Sequence, residues 1–163
     1  IIVNRRNILL SLLAISVFPK YSYSNQDLLS DNMLDFHVSN LMLVNNQIGV
    51  IDSQDALIGN KAYDLASLID DVRFKTSKPL KDKIFKFYIN RQTEVDKSKL
   101  KNDFEILSIL RNLKIIGVFT RLSIRDNKKK YLKLVPNAWD LISTRIDENK
   151  IFLELKELLN ENF

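Results

Sequence analysis

Two short apolar runs, "LMLV" at 41–44 and "IGVID" at 48–52, flank the polar "NNQ". Asparagine tolerates the positive φ of tight turns, so this pattern predicts an antiparallel hairpin turning at Asn45 and Asn46. Beyond Gly59 the apolar period changes to that of helices. Leu65, Leu68, Ile69 and Val72 repeat at helical spacing and predict a helix over 62–73. Ile84, Phe87 and Tyr88 share one face of a second helix over 80–91, started by Pro79. Residues 100–125 predict a third, apolar nearly all round near its middle, as in the buried centre of a bundle. Helices over 130–146 and 151–160 complete the set. Two strands do not make a stable sheet alone, so the hairpin must pack on the helices. The expected fold is mainly α, with α+β character: a helical lobe carrying one β-hairpin. No internal repeat or low-complexity segment interrupts it.

Residues 1–32 follow a different pattern. Arg5 and Arg6 precede an apolar run from Ile8 to Phe18, broken only by Ser11 and Ser16, and then Pro19 and a polar stretch. The run is too short to cross a bilayer as a stable helix, so no stable membrane span is expected. A basic start, a short apolar centre and small polar residues after it make a signal-like leader, although the usual small-residue cleavage site is missing. A buried amino-terminal helix and a mis-joined leader are the other readings.

Composition narrows the chemistry. The 163 residues are 45% hydrophobic and 28% charged, a globular balance with enough chain for one core. Three glycines and three prolines leave few turns, which agrees with a helical fold. There is no cysteine and a single histidine, His37. Disulfides, thiolate metal sites and multi-histidine zinc sites are therefore excluded. Any metal would be held by oxygens, which points to Mg²⁺ or Ca²⁺. The net charge is +5, and part of it sits in "RDNKKKYLK" (125–133). That run reads as a solvated helix start or as an attraction for an anionic ligand. No aromatic residues alternate with the cations as a base-stacking stripe would need, so no nucleic-acid partner is expected.

The hairpin brings polar residues together at its open end: Asn40 where the first strand begins and Asp52 where the second ends. Asp35 lies five residues before Asn40. Phosphoryl transfer needs a carboxylate to take the proton of the accepting hydroxyl, and oxygen ligands that hold Mg²⁺ against nucleotide phosphates. Asp35 suits the first role; the Asn40 amide oxygen and the Asp52 carboxylate suit the second. The Asp-x₄-Asn spacing alone arises often by chance; followed by a hairpin and a third acid it is more specific. Asp55 can assist the metal or cap the next turn, His37 reads as a hydrogen-bonded spacer or a second base, and Arg121 and Arg125 as phosphate contacts or surface residues.

"DFHVSNLML", "GVIDSQDALIGNKAYDLASLIDD" and, further on, "RNLKIIGVFTRLSIRDNKKKYLKLVP" resemble the aminoglycoside phosphotransferase-like kinase family. This family has a protein-kinase-like fold. Within it the likeness is closest to bacterial kinases acting on the anomeric hydroxyl of N-acetylmuramate or N-acetylglucosamine in cell-wall recycling. The resemblance spans residues 33–163. It implies Asp35 as catalytic base, Asn40 and Asp52 as metal ligands, and Asp64 as an acidic brace for the catalytic loop. It also implies ATP and Mg²⁺ as cofactors, an amino-sugar or sugar substrate, and a cytoplasmic location, unless residues 1–32 act as an export signal. The sequence departs from the family at Leu34, where arginine is frequent, and at Ser53, where an aromatic is usual. Nor do its glycines form a phosphate-covering loop. Residues 1–32 are too few for the family's amino-terminal sheet lobe, which is expected to be absent. The expectation is therefore a carboxy-terminal phosphotransferase lobe over 33–163 that is incomplete on its own; a separate amino-terminal lobe is one partner that would complete it. The alternative is a non-catalytic helical binding module or a truncated kinase remnant.

Overall fold

The computed structural model describes residues 32–33, 37–44, 47–51, 57–93 and 95–162. The expected hairpin is formed by β2 (Leu41–Val44) and β3 (Gln47–Val50), after a two-residue β1 (Asn32–Met33). β2 and β3 are antiparallel, with Leu41 opposite Val50 and Val44 opposite Gln47. The predicted turn, Asn45–Asn46, lies outside the described residues. A second ladder joins β1 to β4 (Leu57–Ile58), again antiparallel. Strands of two residues carry no alternation, so nothing in the pattern announced that pair.

Helices make up the remainder. α1 is Ala62–Ile69, α2 Lys78–Arg91, α3 Lys97–Arg125, α4 Val135–Glu148 and α5 Leu153–Asn162. Short 3₁₀ turns cover Val38–Asn40, Lys129–Leu134 and Lys150–Phe152. The mainly helical class with a hairpin is as expected; two boundaries are not. α1 stops at Ile69 because Asp70 leaves helical geometry, at φ −110° and ψ 41°. Val72 extended the apolar period only because it is buried, at 1% exposure, and not because it is helical. The helix expected over 130–146 begins five residues late. Pro136, second in α4, has no N–H to continue a helix from the preceding turn, and that turn is 3₁₀.

The chain divides into two compact units. One takes the described residues up to Asp71 together with Thr76–Phe104; the other takes Val72–Lys75 and Glu105–Phe163. In the first, α1 packs on α2. Leu65, Ile69, Ile84, Leu100 and Phe104 are buried, and the Phe85 and Phe104 rings meet at 4.8 Å. The second unit holds two apolar clusters, Val72–Ile115–Phe119–Ala138 and Ile109–Ile142–Ile146–Phe152. Full burial of one such aliphatic or aromatic side chain contributes roughly 1.5–3 kcal/mol. The middle of α3 is not buried all round, as its composition had suggested: Ile109 is enclosed while Leu110 is 56% exposed.

Candidate functional site

Asn40 is placed by two short-range devices. The 3₁₀ turn closes with its N–H donating to the His37 carbonyl at 2.9 Å, and the next residue enters β2. The Asn40 carbonyl then accepts the Ile51 N–H, also at 2.9 Å, which carries the β2–β3 ladder one residue beyond the Leu41–Val50 pair. The two strand ends are thus neighbours, as the sequence suggested, and Asp52 is the residue that follows Ile51. Asn40 is 8% exposed and His37 half-buried. Asp35, Asp52 and Asp55 lie outside the described residues, so of the three predicted catalytic and metal-binding groups Asn40 is the one with a described position. Among the described residues no three acids or histidines cluster as metal ligands. Asparagine and aspartate oxygens are nevertheless the hard donors that Mg²⁺ prefers.

Asp64 stands in the first turn of α1, half-buried, where unpaired helix N–H groups favour a carboxylate. It also acts on Tyr88 of α2: burial raises the Tyr88 phenol above its ordinary pKa, and the negative charge of Asp64 raises it further. Asn60 lies just before the same helix. Its side-chain oxygen accepts the Ala62 N–H at 2.9 Å, while its amide nitrogen donates to Asp103 of α3 at 2.8 Å. Lys99 donates to the same Asp103 oxygen at 2.7 Å. The Asp103 carboxyl is held below its ordinary pKa, first by the Lys99 hydrogen bond and then by that of Asn60.

Neither Asn60 nor Asp103 is marked as a functional residue by the sequence motifs. The Asn60 signal was there, an N-cap residue type just before an apolar helical period; the Asp103 partnership joins residues 43 apart and left none. Gly59, Asn60, Lys61, Lys99 and Asp103 border an open hollow of about 240 Å³. It is smaller than the roughly 300–1,000 Å³ of small-molecule pockets, and Asn60 and Lys99 both donate to Asp103 within it.

Two further residues considered from the sequence belong to the second unit. Arg121 is exposed on α3, and Arg125 donates to Asp126 at 2.7 and 3.1 Å.

Comparison with known proteins bears on the hairpin and the helices after it. Residues 34–98 match the phosphotransferase enzyme family. Over 131 residues, 77% of this chain, the sequence is 32% identical to an N-acetylmuramate/N-acetylglucosamine kinase of Pseudomonas aeruginosa. Proteins of the same description from Neisseria meningitidis and Caulobacter vibrioides are 35% identical over 108 residues and 29% over 110. These matches cover 63% and 64% of this chain. The matched regions span only 30–39% of the length of these curated relatives. Among the described residues, no helix is long and apolar enough to cross a membrane.

Proposed function

We propose, from the premise that this chain resembles the phosphotransferase enzyme family over residues 34–98, that it forms the acceptor- and metal-handling lobe of an ATP- and Mg²⁺-dependent amino-sugar kinase. The observation that carries the reading is the joining of the strand ends at Asn40 and Ile51. It sets a buried amide-bearing residue beside the residue that precedes Asp52. In this reading Asp35 accepts the proton of the sugar hydroxyl as that oxygen attacks the γ-phosphorus of ATP, the bond from phosphorus to the bridging oxygen breaks, and ADP leaves. Asn40 and Asp52 would hold the metal, and Asp64 would brace the loop from the start of α1. When bound, Mg²⁺ would neutralise the charge that develops on the phosphate oxygens. The relatives' descriptions suggest N-acetylmuramate or N-acetylglucosamine as acceptor, and ATP as donor suits a cytoplasmic enzyme.

Gly49, Gly59 and Gly117 are the only glycines, and they are far apart in the chain. These three glycines form no glycine-rich run, so in this reading a separate lobe supplies the cover for the phosphates and its lysine.

Calorimetric titration of the chain with Mg²⁺–ATP, beside Asp52→Asn, tests the assignment. Saturable binding that the substitution abolishes is expected. A folded protein showing no metal-dependent nucleotide binding would replace this reading with a helical module whose motif is idle.

A further inference from the structure

The chain's positive charge is not spread evenly. Between residues 121 and 133 there are six cations, Arg121, Arg125, Lys128, Lys129, Lys130 and Lys133, against one carboxylate, Asp126. That local excess of five equals the net charge of the entire chain, +5, so the other 150 residues balance. The fold keeps these cations at one corner of the second unit. α3 ends at Arg125, and the Lys128 N–H donates back to the Leu122 carbonyl at 3.0 Å. Asn127 takes the left-handed conformation, φ 52°, that this closure requires. The lysines then follow in a tight 3₁₀ turn over Lys129–Leu134. All six cations are exposed. Asp126 is bonded to Arg125, and its carboxyl is lowered chiefly by that hydrogen bond, then by the charges of Arg125, Lys128 and Arg121. The lone acid is thus surrounded by three of the cations.

Two apolar side chains stand among them. Ile124 is 81% exposed and Leu132 43%. Arg121, Ile124 and Arg125 follow the i, i+3, i+4 spacing that puts residues on one helical face. The one aromatic in the segment, Tyr131, is half-buried: its ring packs on Phe119 at 5.1 Å and the Lys130 ammonium lies 5.3 Å from its centre, so no free ring is offered to a base. Exposed cations with an apolar residue between them, and no free aromatic, match a negatively charged bilayer surface better than a nucleic acid.

We infer that the corner Arg121–Lys133 docks on anionic phospholipid, its cations against the headgroup phosphates and Ile124 and Leu132 at the acyl boundary. The full chain is mixed with phosphatidylcholine vesicles with and without phosphatidylglycerol, and sedimented. Binding is expected only with phosphatidylglycerol. Replacing Lys128, Lys129 and Lys130 together by glutamine should weaken it on the order of a hundredfold, since each cation near a charged membrane is worth about fivefold. Ile124→Asp should weaken it again, and Lys133→Gln, outside the Asn127 turn, supplies an independent variant expected to lose about fivefold. Three results would overturn the inference. One is no binding to phosphatidylglycerol vesicles. Another is binding indifferent to these variants, which would trace to the Arg5–Phe18 stretch. The last is a corner that ignores Ile124→Asp and whose vesicle binding a DNA duplex displaces.

Discussion

Asp103 shows how one side chain couples two elements and makes their stability depend on pH. Its folded pKa is depressed by Lys99 and Asn60. Its contribution is therefore present above the ordinary carboxylate range and is lost as pH falls through the depressed value. Asp103→Asn should destabilise the chain at neutral pH by up to about 1 kcal/mol, the range of exposed ion pairs, and by less in acid. Urea midpoints of both proteins at the two pH values check this. The Asp70–Lys81 pair is of another kind. The bond is 2.8 Å and the Asp70 side chain is 1% exposed. Lys81→Ala removes a counter-charge from a buried carboxylate and should cost about 3 kcal/mol in chemical denaturation. The methionine substitution should cost about as much, because it restores the packing and not the charge.

At the scale of elements, α3 is set by its two ends more than by its 29 residues of mixed composition. Asp96 accepts the Ser98 and Lys99 N–H groups at 2.8 and 3.1 Å and fixes where the helix starts. Asp96→Ala should lower the melting temperature through a loss of about 1 kcal/mol. At the other end Asn127 occupies the left-handed region at φ 52°. Asn127→Gly should leave stability unchanged or slightly improved, whereas Asn127→Val should lose about 1–2 kcal/mol to the clash of Cβ with the following carbonyl. Thermal unfolding of the pair distinguishes these outcomes. The hairpin follows a different rule. Its register rests on backbone pairing from Val44–Gln47 to Leu41–Val50, and on the extra Asn40–Ile51 bond. A shift by one residue would turn Leu41, now buried, outward.

At the scale of the molecule, stability is lodged in separate apolar clusters. Ile142 is 1% exposed in the cluster with Ile109, Ile146 and Phe152. Ile142→Ala should cost about 3 kcal/mol, because the cavity it leaves cannot fully collapse. Hydrogen exchange should show the loss first in α4 and α5, whose residues line that cluster.

The long elements, the hairpin and the family resemblance over residues 33–163 were legible in the chain alone, and the family match falls on residues 34–98 of that span. Those signals are local: alternation, helical spacing and a short motif are all read within a few neighbours. The ends of the elements were less legible. Val72 lies beyond the end of α1 and is apolar for the cluster of the second unit, and Pro136 shortened a helix whose apolar period ran on. Only the tertiary structure decided that Asn60 meets Asp103, that Asp64 acts on Tyr88, and that Lys81 covers Asp70. It also decided that Tyr131 packs on Phe119 and leaves Ile124 among the cations. Each of these depends on which faces pack together, and packing is settled by burial summed over distant segments, which no short window of sequence contains.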